Sequence, residues 1–212
     1  MIYDISPPIS SELGVWPGDT PLTREVLLDM KAGANLTLST LRATVHLGAH
    51  ADAPSHYGAD APAIDERSLD FYLGPCEVVE VQVGRKEPIT SRHFSGIAAC
   101  ERILFRTGTF SEPNRFPQDF ASVSPELVDQ LHRQGVRLVG IDTPSLDLFA
   151  SKDLPTHQAC LRNDMAILEG IVLDGVPEGI YELIALPLRL VGFDASPVRA
   201  ILREIRETDP QP

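Results

Sequence analysis

The sequence is short of cysteine, of basic charge and of long apolar runs, and each shortage removes a class of protein. Its three cysteines, Cys76, Cys100 and Cys160, are odd in number and show no paired spacing, so they do not form a disulfide framework. Cys76 and Cys100 lie in or beside apolar stretches, where reduced core thiols are expected. The N-terminus, Met1-Ile-Tyr-Asp-Ile-Ser-Pro-Pro8, has neither the basic region nor the apolar region of a signal peptide. A reducing cytoplasm is the compartment this implies. No run approaches the roughly 18 apolar residues of a membrane span. Lysine and arginine total 18 against 30 acidic residues, for a net charge of −12. With no basic tail or stripe to hold phosphates, nucleic acid is excluded as a main partner.

What remains is a 212-residue chain, a length suited to one domain with a full core and no need of disulfides. Eighteen prolines indicate many defined turns rather than a helical bundle. Alternation and apolar runs predict strands at Ile2–Ile5, Leu36–Val45, Glu77–Val83, Arg102–Arg106, Val136–Ile141, Met165–Leu168, Tyr181–Leu190 and Val198–Ile205. Helices are predicted from Thr90 through Ala98 and from Ser124-Pro125 to the stop at Gly135, with a helical turn at His157–Arg162. Strands outnumber helices, and the helices fall between strands, so the class is mixed α/β. No linker divides the chain.

Three of the six histidines fall within His46-Leu-Gly-Ala-His50-Ala-Asp52-Ala-Pro-Ser-His56. Even scatter would put about 0.3 there. Small residues fill the gaps. His46, His50, Asp52 and His56 are separated by even numbers of residues, so a strand would set them on one face. A straight strand rises ~3.3 Å per residue and would hold His46 and Asp52 ~20 Å apart, far beyond ligand bonds of ~2.0–2.2 Å. Pro54 and Gly48 oppose a helix. The segment should therefore leave a strand and curl into a tight loop that binds metal.

Imidazole with carboxylate suits zinc, and also manganese, iron or cobalt. His157 and Glu169, the latter at the mouth of an apolar strand, are candidates to complete the site. Asp52 and Glu169 could each bridge two metals. His56, behind Pro54, is better suited to general acid–base work than to ligation. His93 and His132 read as ordinary histidines in helices, and Asp142 as an Asx-turn residue before Thr-Pro-Ser. Trp16, the single tryptophan, sits in a loop, where it could serve packing or stack against an aromatic substrate.

The segment from His46 to Tyr57 resembles the signature of the cyclase-like metal hydrolases, H-x-G-T-H-x-D-x-P-x-H-F. Ala49 and Tyr57 depart from that broad pattern in the direction of the bacterial kynurenine formamidase (arylformamidase) branch. Supporting stretches are Trp16-Pro-Gly-Asp19, Gly140-Ile-Asp-Thr-Pro-Ser145, Leu186-Pro-Leu-Arg-Leu-Val-Gly192 and Ser196-Pro-Val-Arg-Ala-Ile-Leu202. The resemblance covers nearly the whole chain.

It implies a single α/β domain with a strand-rich mixed sheet, a β-barrel-like core and flanking helices, assembled as a homodimer or larger homo-oligomer. It implies two zinc ions per subunit, with His46, His50 and Asp52 on the first and Asp52 and His157 on the second. Glu169 would serve both, and manganese would be the other possible metal. His56 falls at the proton-carrier position and Trp16 at a substrate-contacting one. The implied reaction is hydrolysis of N-formyl-L-kynurenine in tryptophan degradation by the kynurenine pathway. Two readings compete with it: a manganese-dependent hydrolase of a cyclic amide such as isatin, and a metal- or small-ligand-binding protein without catalysis.

Overall fold

A computed structural model describes residues 1–205. In chain order the strands begin with β1 (Ile2–Asp4), β2 (Thr23–Leu28), β3 (Leu38–Arg42) and β4 (His50–Asp52). Next come β5 (Leu73–Glu80), β6 (Pro88–Ile89), β7 (Arg102–Arg106), β8 (Ser122–Val123) and β9 (Leu138–Ile141). They end with β10 (Ala166–Glu169), β11 (Gly179–Ile184), β12 (Ala195–Pro197) and β13 (Ile201–Glu204). Helix α1 (Pro125–Arg133) precedes β9, and α2 (Pro155–Arg162) precedes β10.

Nine strands form one curled mixed sheet in the order β1-β13-β11-β5-β7-β9-β10-β4-β12. The central four, β5-β7-β9-β10, are parallel, and antiparallel strands flank them on both sides. Parallel strands are covered on both faces and so read as continuous apolar runs. Here successive residues divide between two cores. Ile103, Phe105, Val139, Ile141 and Ile167 pack with Leu127, Val128 and Leu131 of α1. Leu104, Leu138, Ala166 and Leu168 pack on the other face with Ile5, Phe71, Tyr72 and Leu183. The expected strand-rich α/β class holds.

Several local expectations do not. Thr90–Ala98 forms turns rather than a helix. The Thr90 backbone N–H donates to His93 Nδ1 at 3.0 Å, closing a local turn. Asp142 makes no Asx turn. Its carboxylate reaches back to the backbone N–H groups of Thr107 and Gly108 and to the Thr107 hydroxyl, clamping the loop after β7. The stretch Val198–Ile205 contributes only β13, and β11 ends at Ile184. Strand β2 was not expected, because Thr-Arg-Glu-Val-Leu-Leu does not alternate. It pairs with β3 as a separate two-stranded hairpin with a bulge at Val26/Leu28. Of the cysteines, Cys76 and Cys160 are buried, Cys100 is half-buried, and all three are free.

No described helix is long and apolar enough to cross a membrane.

Candidate metal centre

The chain from Leu47 to Ala49 turns through Gly48, whose φ of +61° lies in the left-handed region. The expected departure from a straight strand is there, but His50–Asp52, expected within the loop, form the short strand β4 that follows this turn. Within β4, His50 and Asp52 share one face, and Ala51 faces the opposite core. Antiparallel pairing sets Glu169 of β10 directly opposite His50 and Ile167 opposite Asp52. The register therefore delivers an imidazole and two carboxylates to one place, at the carboxyl end of the parallel strand β10. Crevices at the carboxyl ends of such strands are where ligands bind in open α/β sheets. Gly170, with φ +64°, ends β10 so close to Gly48 that a Cβ there would lie 2.2 Å from the Gly48 carbonyl oxygen.

The fourth group arrives on α2. This helix has Leu154 at its N-cap, which makes no side-chain hydrogen bond there. Asp147 substitutes for that cap, accepting the backbone N–H groups of Thr156 and His157. The same carboxylate accepts Nδ1–H of the His157 ring at 2.7 Å. Its Nε2 is thereby left facing Asp52 Oδ2 at 3.4 Å and Glu169 Oε1 at 3.3 Å. His50 is held in the same sense: Nδ1 lies 2.8 Å from the Gly48 carbonyl. Its Nε2 faces Asp52 Oδ1 at 3.5 Å and Glu169 Oε2 at 3.4 Å. His46 Nδ1 lies 3.1 Å from Asp52 Oδ1.

Both oxygens of Asp52 are buried and accept no hydrogen bond, although three imidazole nitrogens surround them. A buried carboxylate in that condition is costly unless a cation or a proton lies between the groups. The donor set of three histidines and two carboxylates suits zinc or another divalent transition metal. Fixing the far nitrogen of an imidazole with a carboxylate or carbonyl is how metal-binding histidines are held. The residues fit the metal.

Charge in the cluster follows the same logic. Burial by itself lowers the pKa of His46, but Asp52 and Asp194 outweigh it and raise it to about 9. Burial likewise opposes ionised His157, yet Asp147, Asp52 and Glu169 hold its pKa well above the ordinary value. Burial pushes Asp52 up, and His157 and His46 pull it well below the usual carboxylate range. Glu169 is lowered by His157 and His50 against burial and the repulsion of Asp52.

His56 closes a short 3-10 turn from Pro54 and is one-third exposed. Its ring centroid is 4.2 Å from that of His46 and 6.3 Å from that of His157. Trp16 stacks on Phe149 at 4.8 Å and meets Phe116 edge-on. Trp16 and His56 line one cavity of about 140 Å³ with His46, His50, His157 and Glu169. A larger cavity of about 270 Å³ meets the cluster only through His46 and His50 and is walled mainly by Leu13, Phe110, Phe116 and Ile171. The chemistry belongs to the smaller cavity. The larger one offers apolar room beside it.

All seven residues singled out in the sequence thus converge on one site. Two were missed. Asp147 is ten residues from His157 in an unremarkable loop. Asp194, in Gly192-Phe-Asp194 before β12, lies 3.0 Å from His46 Nε2 and 3.4 Å from His56 Nδ1.

The Cyclase family profile matches residues 3–148. The chain belongs to this family. Among solved structures, it is similar to one described as a potential metal-dependent hydrolase with cyclase activity, at 28% identity and a TM-score of 0.83. That match covers 95% of this chain and 96% of the other. It is also similar to a predicted metal-dependent hydrolase from Bacillus stearothermophilus, at 30% identity and a TM-score of 0.80, covering 95% and 97% of the two chains. Isatin hydrolase A from Labrenzia aggregata shares the fold at 20% identity and a TM-score of 0.83, covering 97% and 94%. The cyclase-family member described here has the fold of metal-dependent hydrolases and a buried His/Asp/Glu cluster suited to metal.

Proposed function

We propose that this cyclase-family protein is a metal-dependent arylformamidase that hydrolyses N-formyl-L-kynurenine to L-kynurenine and formate in tryptophan degradation. The observation that carries the hydrolase reading is the buried carboxylate of Asp52, which accepts no hydrogen bond although it is ringed by the imidazoles of His46, His50 and His157, with His56 at the wall of the same cavity. His46, His50, Asp52, His157 and Glu169 would hold two zinc ions, with manganese the other candidate. Asp52 and Glu169 each face the nitrogens of both His50 and His157, so either carboxylate would be within reach of more than one ion. Bound metal supplies Lewis acidity toward water and the formyl carbonyl.

The protein's own groups perform the rest. Water oxygen bonds to the formyl carbon and the C–N bond breaks. His56 takes the proton released by the water and returns it to the departing aryl nitrogen. Trp16 and Phe116 form a wall on which an aromatic ring stacks. The rims carry Asp19 and Asp174, suited to the α-ammonium of the substrate's amino-acid end. Ala49 and Tyr57 favour the formamidase branch over the isatin hydrolases, whose shared fold keeps a cyclic amide as the competing substrate. Comparison of kcat/KM for N-formylkynurenine and isatin tests the choice. Preference for isatin by more than about tenfold would replace the formamidase reading.

We also propose that the protein works as a homodimer or larger homo-oligomer in a reducing cytoplasm, the latter in keeping with its free thiols. The β2–β3 hairpin supports the assembly. Every residue of both strands is exposed, including Val26, Leu27, Leu28, Leu38 and Leu41. A lone two-stranded hairpin is marginal in water, and such apolar exposure marks an interaction surface. Arg24, Lys31 and Arg42 against Glu25 and Asp29 give residues 23–42 a net charge of +1, leaving −13 on the rest of a chain of −12. An exposed apolar arm of slight positive charge on an acidic body is complementary to a second copy of this chain.

A further inference from the structure

Asp194 takes no part in the ligand set, and nothing in the signature around His46–His56 points to it. Its position is nevertheless fixed from three sides. It immediately precedes β12, which pairs with β4 so that Ala195 lies opposite Asp52. Its carbonyl accepts the Ala53 N–H at 2.8 Å, the preceding Phe193 carbonyl accepts the Ile64 N–H, and the Gly192 N–H donates to Asp65. The backbone beside Asp194 is thus tied to both ends of the segment that carries His56.

One oxygen, Oδ2, then stands within reach of two imidazoles, hydrogen-bonded to one and at ion-pair distance from the other. It lies 3.0 Å from His46 Nε2, with which it is hydrogen-bonded, and 3.4 Å from His56 Nδ1. The other nitrogen of His46, Nδ1, is the one facing Asp52. The nitrogen of His56 remote from Asp194 is Nε2, on a ring that lines the cavity with Trp16. A carboxylate accepts hydrogen bonds and does not donate them. A proton between Asp194 and either ring therefore resides on the ring.

We propose that Asp194 is the positioning residue for His56: it holds the proton on Nδ1, so that Nε2 presents its lone pair to the cavity. This inference rests on the reading of His56 as the proton carrier. The consequence is chemical. A neutral imidazole must offer an unprotonated nitrogen to remove a proton from water, and the same nitrogen must return it to the leaving amine. With Nδ1–H directed at Asp194, Nε2 does both, and the carboxylate stabilises the imidazolium formed between the two transfers. A third group orienting the base is the general logic of activated catalytic sites. The shared oxygen also fixes His46 with Nε2–H outward and Nδ1 toward Asp52, the orientation a ligand needs.

The test uses zinc-loaded full-length protein with ¹⁵N-labelled histidine. The His56 signal is assigned by its absence in His56→Ala. The expected spectrum shows His56 protonated at Nδ1 and unprotonated at Nε2. In Asp194→Ala the ring shifts toward the Nε2–H tautomer, and Asp194→Asn, which keeps an acceptor in place, restores the Nδ1–H form. Turnover of N-formylkynurenine provides the second arm. Asp194→Ala at saturating zinc keeps its metal content and KM within about threefold, while kcat falls at least about tenfold. The fall disappears in a His56→Ala background, because residues acting as a unit are not additive. An unchanged His56 tautomer in Asp194→Ala would overturn the proposal. So would an equal kcat loss in both backgrounds, or a loss accounted for by missing zinc. If wild-type protein does not hydrolyse the substrate, the formamidase reading fails, while the tautomer arm still decides the role of Asp194.

Discussion

Asp147 holds His157 twice over, capping its helix at the backbone N–H and binding its ring Nδ1 at 2.7 Å. One carboxylate thus sets both where α2 begins and which nitrogen of His157 faces Asp52 and Glu169. Asp147→Asn keeps the shape, but removes the charge that favours Nδ1–H. Metal affinity should fall about 10- to 100-fold, read by competition with a chromogenic chelator. Unchanged affinity would show that the helix cap alone matters.

The metal-free protein should lose stability as pH rises. His46 has a folded-state pKa of about 9 against an ordinary value of 6.5, and His157 is shifted the same way. A raised folded-state pKa contributes stability that is complete below the unfolded value and is lost as pH climbs through the folded one. Tm of the metal-free protein should fall between pH 6.5 and 9. Metal replaces those protons, so loaded protein should lack this decline, and metal binding at pH 7 should release protons. Calorimetry in buffers of differing ionisation enthalpy measures the release. A flat Tm profile without metal would contradict the charge assignment.

Closure of the site depends on Gly170. A Cβ at this position would sit 2.2 Å from the Gly48 carbonyl oxygen on a backbone with φ +64°. Gly170→Ala should destabilise the protein by on the order of 2–4 kcal/mol and displace Glu169 from His50, lowering metal content after dialysis. Thermal unfolding and elemental analysis check both effects. A fully metallated, wild-type-stable variant would show that the two loops separate freely.

Charge placed on the hairpin should disrupt self-association. Leu41→Glu, on a residue 69% exposed, should weaken the assembly at least about tenfold, seen as a shift toward monomer by light scattering after size exclusion. Unaltered assembly would place the interface elsewhere.

The sequence made much of the site legible because its residues are crowded: the ligands His46, His50 and Asp52 and the proton carrier His56 lie within eleven residues, and their spacing alone required a departure from a straight strand. The apolar runs of β7, β9 and β10 were likewise visible, because strands covered on both faces carry few polar residues. Asp147 and Asp194 were hidden because they act through tertiary approach. Asp147 caps a helix whose local N-cap is Leu154, and Asp194 reaches His56 only because β12 pairs with β4. The helix expected from Thr90 through Ala98 failed for a related reason: the turn that His93 closes on Thr90 replaces it. Strand β2 could not be read from alternation, since neither of its faces is buried within the chain.

The most direct measurement is hydrolysis of N-formylkynurenine by purified protein before chelation, after chelation and after metal is restored. The account predicts activity that disappears with the chelator and returns on addition of zinc, in step with metal bound up to two ions per chain. Activity indifferent to the chelator, or a folded, zinc-loaded protein without turnover, would contradict it.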